Sequence, residues 1–133
     1  MKRQEFQELL DKLEFARRTK DRNVFMGILK EANSSDRENL DEMVEFYDKV
    51  LDVLEEFGWL ESMIDNAKEI LRENPSDSQC RQELGCYYFR LGDLEKAESC
   101  FRTSIEYYDN PLAKHYLNEL LKKRSYNEGR GEI

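Results

Sequence analysis

Apolar residues recur along this chain at the spacing of a helix rather than a strand. Phe6, Leu9, Leu10, Leu13 and Ala16 stand three or four positions apart, so they share one side of a helix turning every ~3.6 residues. That stripe predicts a first helix ending near Thr19. The polar run Lys20, Asp21, Arg22, Asn23 breaks it, and Val24, Phe25, Ile28, Leu29 and Ala32 make a second, shorter stripe. Residues 1–33 therefore read as a helical hairpin. Ser35 and Glu38 have the spacing of a capping box, in which each side chain satisfies an N–H that the other's turn leaves open, and a third helix is expected to start there. Its stripe is Leu40, Met43, Val44, Tyr47, Val50, Leu51, Leu54 and Phe57, closed by Gly58, the residue that best tolerates a left-handed stop.

Trp59 opens a fourth helix carried by Leu60, Met63, Ile64, Ala67, Ile70 and Leu71 to Asn74, since the residue before Pro75 is pushed out of the helical region. Ser76 and Gln79 again fit a capping box. A fifth stripe, Cys80, Leu84, Tyr87, Tyr88 and Leu91, runs to Gly92, and Asp93 caps a sixth, with Leu94, Ala97, Phe101, Ser104 and Ile105. Asn110 suits the cap and Pro111 the first turn of a seventh helix over residues 112–124. Residues 125–133 hold almost nothing apolar and read as a flexible tail.

A shift of 34 positions superimposes the pattern on itself: Val50 meets Leu84, Leu54 meets Tyr88, Gly58 meets Gly92, Leu60 meets Leu94, Ala67 meets Phe101 and Leu71 meets Ile105. A helical hairpin recurring at this interval cannot bury its stripe alone and must stack on a copy of itself. Residues 78–111 resemble a tetratricopeptide repeat, with Leu84 and Gly85 at the Leu-Gly position, then Tyr88, Gly92, Asp93, Ala97, Phe101 and a late Pro111. Arg81 stands where that motif has tryptophan. Residues 44–77 resemble it less strictly, with Tyr47, Val50, Leu51, Leu54, Gly58, Leu60 and Pro75 but Met63 in place of alanine. One further step back loses the pattern, so residues 1–33 are a divergent repeat or another kind of hairpin. The resemblance implies an all-α fold, an α-solenoid of about seven helices in antiparallel pairs, with repeats in 36–124 and residues 112–124 as a capping helix.

The resemblance also implies where a partner would lie, because the first helix of each such pair lines a concave groove. In residues 44–77 the groove positions are Glu45, Asp48, Asp52, Glu55 and Glu56; in 78–111 they are Gln79, Gln82, Cys86, Phe89 and Arg90. This groove begins acidic and becomes neutral. Members of the family that grip a peptide's terminal carboxylate use Lys, Arg and Asn there, and Glu45, Asp48 and Asp52 argue against that clamp. The expected partner is a protein or peptide segment with basic residues, and Tyr88 and Phe89 would add apolar contact.

Composition narrows the function classes. The 133 residues carry 29 acids and 21 bases, a formal charge of −8, which opposes binding to nucleic acid or anionic lipid. Two prolines and six glycines suit long helices. The chain opens on Met1, Lys2, Arg3 and a charged stretch rather than a signal peptide's apolar run, so a cytoplasmic location is the expectation. Cys80, Cys86 and Cys100 form no metal-ligand spacing and are expected as buried thiols. His115 has no acid or thiol placed by spacing to activate it, and no cofactor motif appears, so an enzyme is not indicated. Trp59 is expected to anchor helix packing. In each pair Tyr87–Tyr88 and Tyr107–Tyr108, one ring is expected inside and one in solvent. A non-catalytic interaction module is the leading reading: an adaptor, a cochaperone-like protein or an assembly factor. The alternatives are a structural subunit or homodimer assembled through the N-terminal helices, and a secretion-type chaperone, a role other short acidic chains of the family fill.

Overall fold

The computed structural model describes residues 3–33 and 39–131. Among them lie seven α-helices: α1 (Arg3–Thr19), α2 (Arg22–Asn33), α3 (Leu40–Glu56), α4 (Leu60–Glu73), α5 (Ser78–Leu91), α6 (Leu94–Tyr107) and α7 (Pro111–Gly131). The chain divides into two compact units, Met1–Val53 and Leu54–Ile133.

In the first unit, Lys20 turns the chain with a φ of 57°, and the Asp21 carboxylate accepts the N–H groups of Asn23 and Val24 at 3.0 and 3.2 Å, capping α2. α1 packs on α2, and Lys12 meets Glu31 across the pair at 2.9 Å. Phe6, Leu9, Leu10, Leu13, Ala16, Phe25, Ile28, Leu29 and Ala32 are all buried, as their spacing requires. The Ser35–Glu38 box lies outside the described residues. The cap of α3 is Asn39, whose Oδ1 accepts the N–H of Glu42 at 3.1 Å. The buried stripe of α3 is wider than its spacing predicts, since Phe46 and Val53 are buried beside Met43, Tyr47, Val50, Leu51 and Leu54.

In the second unit the two glycines end their helices in the same way. Gly58 and Gly92 have φ of 70° and 87°, and the following N–H groups of Trp59 and Asp93 bond back to Leu54 O at 2.8 Å and Tyr88 O at 3.0 Å. This is the Schellman closure, repeated 34 residues apart. Asp93 caps α6 through the N–H of Lys96 at 3.2 Å and Asn110 caps α7 through that of Ala113 at 3.1 Å. The cap of α5 is Asp77, one residue beyond the expected Ser76, and it accepts from the N–H of Cys80 at 2.9 Å.

α4, α5, α6 and α7 pack each on the next, and α5 also touches α7. Ser78 at the start of α5 bonds Ser104 near the end of α6, so these two helices run antiparallel. They cross most closely at Gly85, where a Cβ would lie 2.6 Å from the Phe101 ring. Phe101, Leu112 and Leu120 are fully buried, and each such side chain stabilises the unit by about 1.5–3 kcal/mol relative to exposure. α7 continues to Gly131, past Arg124 where the apolar pattern fades, because nothing between Ser125 and Gly131 breaks a helix as proline would.

Candidate functional site

α5 lies between α4 and α6 and also meets α7, and this position governs what it can offer. Gln82 and Cys86, two of the expected groove positions, are 0% and 2% exposed. They belong to the interior, because α5 is covered on most of its circumference. Gln82 donates to the Cys86 sulfur at 3.2 Å, while its own carbonyl oxygen is buried without a hydrogen-bond partner. Gln79 is half-buried and donates to Glu83 at 3.2 Å. Phe89 is half-buried at the last turn of α5.

On α3, Glu45 and Asp52 are exposed and Asp48 is half-buried; their spacing places them on one helix face, with Glu55 and Glu56 continuing it into the last turn. A helix C-terminus carries partial negative charge, so acids there work against the helix by about 0.3–1 kcal/mol each. Local helix stability does not account for Glu55 and Glu56. Glu55 approaches Arg90 of α5 at 3.8 Å, with side-chain exposures of 54% and 27%.

The α5–α7 edge holds contacts that the sequence reading missed. Lys123 places its ammonium 5.6 Å from the centre of the Phe89 ring, and Phe89 meets Phe101 edge-on at 6.5 Å. Extending the 34-residue interval once more, from Phe89 to position 123, was the signal available in the sequence. The next residue, Arg124, is bonded to Glu98 of α6. Arg102 donates to the same carboxylate at 2.8 Å, and this hydrogen bond is the main cause holding Glu98 below its ordinary pKa.

The remaining candidates are structural. Tyr87 and Tyr88 are both buried and Tyr107 and Tyr108 are 51% and 68% exposed, against the expectation of one ring inside per pair. α5 is wrapped by neighbours, whereas Tyr108 sits in extended backbone just past the end of α6. Tyr88 is roofed by Lys68 and Lys96, at 5.9 and 5.5 Å from its ring centre, so it offers no open apolar contact. Arg81, at the tryptophan position, donates twice to Pro75 O, at 3.1 and 2.9 Å, and stands 5.8 Å from the Tyr107 ring. Trp59 is half-buried against Phe57, ring centres 5.2 Å apart. His115 lies edge-on to Tyr116 at 5.1 Å. The three cysteines are buried thiols; burial pushes Cys80 up to about 12 and Cys100 up to about 11. Such thiols are poor nucleophiles.

Among the described residues, no group of three or more His, Cys, Asp or Glu is placed to hold a metal ion, and no helix is long and apolar enough to cross a membrane. The arrangement is that of a helical scaffold. Residues 78–111 match the tetratricopeptide repeat family. No curated protein and no solved structure matches the chain. The chain is a small all-helical protein that carries a tetratricopeptide-type repeat on α5 and α6.

Proposed function

We propose that this protein is a protein-interaction module that holds a basic segment of a partner through the acidic face of α3. The observation that carries this reading is the run Glu45, Asp48, Asp52, Glu55, Glu56 on one face of one helix, two members of which sit where the helix dipole disfavours them. A repeat of this family stacks helices to form a scaffold, and the charge on its surface selects the partner.

The test is a selection of random 12-residue peptides displayed on phage against the whole chain. Enriched peptides are expected to carry Lys and Arg, and their affinity is expected to fall steeply with salt, since exposed charges are screened within ~10 Å at 0.1 M. The double change Asp48→Lys and Asp52→Lys removes that enrichment and the salt dependence if the reading holds. If both persist unchanged in the double variant, the acidic face is only a solvated surface.

A further inference from the structure

The turn between α1 and α2 reverses the charge of an acidic chain and exposes apolar side chains beside it. Over residues 14–24, Arg17, Arg18, Lys20 and Arg22 are basic and only Glu14 and Asp21 are acidic. Asp21 is taken up in capping α2, and the one Glu14 carboxylate serves both Arg17 at 2.8 Å and Arg18 at 3.6 Å. The Arg18 side chain stays 73% exposed. Phe15 is 59% exposed and Val24 37%, although the stripes of both helices are otherwise buried. The Lys12–Glu31 bridge marks the side on which they lie. Phe15 stands three residues after Lys12 and Val24 seven before Glu31, spacings that keep to one helix face and lead toward the turn. Gly27 follows Val24 on that face, is exposed, and has nothing within 4 Å of where a Cβ would stand. An aromatic ring and a branched side chain thus flank bare backbone, with cations at the turn end. Single exposed apolar residues are ordinary; two on one face beside clustered cations make a docking surface.

We infer that this tip of the α1–α2 hairpin docks on the acidic face of α3 in a second copy of the chain, an inference that rests on the proposed reading of α3 and names the basic segment it holds. Glu45 and Glu56 are eleven residues apart on α3, a span of about 16 Å at ~1.5 Å per residue. Two packed helices lie about 8–10 Å apart, so cations reaching outward from both α1 and α2 match that length. Opposite charges set orientation and speed of encounter, while Phe15 and Val24 give the contact apolar area to remove from water. An anionic membrane fits the tip less well, since it would also meet the rest of a chain with formal charge −8. Each copy carries one tip and one face, so the contact is head-to-tail: it closes as a reciprocal pair or runs on from copy to copy.

Sedimentation velocity of the whole chain at rising concentration tests this. Association should grow with concentration and weaken about tenfold between about 0.05 and about 0.5 M salt, as the charges are screened. Arg18→Glu with Arg22→Glu reverses the tip, and Asp48→Lys with Asp52→Lys reverses the face. Each double variant alone should stay monomeric. An equimolar mixture of the two should associate again, because each presents what the other has lost, and that recovery also shows both are folded. Phe15→Ser should weaken association while leaving the circular dichroism and the urea midpoint unchanged. A chain that stays monomeric to high micromolar concentration would overturn the inference and leave α3 to the peptide selection, as would association that the tip reversal does not touch. Association lost on tip reversal but indifferent to face reversal would overturn the pairing with α3, and a peptide selection without basic enrichment would then remove the α3 reading as well. A monomeric chain that cosediments with phosphatidylserine vesicles, and ceases to do so on tip reversal, would assign the tip to an anionic membrane instead.

Discussion

Replacing Gly85 with alanine adds one methyl group where α5 crosses α6, and the structure fixes what it meets. The new Cβ would lie 2.6, 2.8 and 3.1 Å from Cε1, Cδ1 and Cζ of Phe101, whereas carbon atoms rest at about 3.5–4.0 Å. Phe101 is fully buried and its ring is stacked on Tyr116 at 6.1 Å and edge-on to Phe89 at 6.5 Å, so it has nowhere to swing. Overpacking of this kind costs about 1–3 kcal/mol. Alanine's better helix propensity returns up to about 1 kcal/mol, leaving a net loss of about 1–2 kcal/mol. Gly27 in α2 is the control: it is exposed, and a Cβ there meets nothing within 4 Å. Gly27→Ala should stabilise the first unit by about 0.5–1 kcal/mol. The assay is urea unfolding followed by Trp59 fluorescence, which reports the second unit, and by far-UV circular dichroism for both, compared at constant slope. Adding Phe101→Leu should relieve the clash, so that Gly85→Ala becomes neutral or stabilising in that background. A Gly85→Ala chain with an unchanged or higher midpoint would refute the close-crossing argument.

Three further outcomes follow from buried polar groups. Ser78 and Ser104 each donate to the other's carbonyl, at 2.8 and 2.7 Å, and Asn110 donates to both hydroxyls at 3.4 Å; Ser104→Ala should cost about 1–3 kcal/mol, read as a lowered urea midpoint. The partnerless Gln82 oxygen is buried at a cost, so Gln82→Leu should raise the midpoint by about 1 kcal/mol, and a fall of that size would show the amide is better satisfied than the structure indicates. The folded chain holds the Cys80 and Cys100 protons more tightly than the unfolded one, at about 12 and about 11 against an ordinary 9.0. Their contribution is therefore full below pH ~9 and lost as pH rises toward those values. At pH 8 both should resist a thiol reagent in the native chain and react on unfolding.

Much of the fold was legible because its signals are local. Gly58 and Gly92, the caps Asp93 and Asn110, and the Pro75 break act within a turn of where they stand, and each does what its chemistry predicts. The Leu84-Gly85 pair and Ala97 mark a close crossing that the structure places against Phe101. What the sequence hid depends on neighbours. The groove register made Gln82 and Cys86 surface residues, but how far α4, α6 and α7 enclose α5 is a property of packing that spacing on one helix cannot report. The same enclosure buries both Tyr87 and Tyr88. Arg81 shows how an unexpected residue serves at an aromatic position, by bonding Pro75 O and lying near Tyr107. Lys123 was hidden by treating α7 as a cap and not carrying the repeat interval onto it.

We propose above all that a basic partner segment binds along the acidic face of α3. Backbone amide chemical shifts of the 15N-labelled whole chain, recorded as a selected 12-residue peptide is added, test it most directly. Shifts should concentrate at Glu45, Asp48, Asp52, Glu55 and Glu56. Shifts confined to the α1–α2 hairpin, or to α4 and α6, would contradict it.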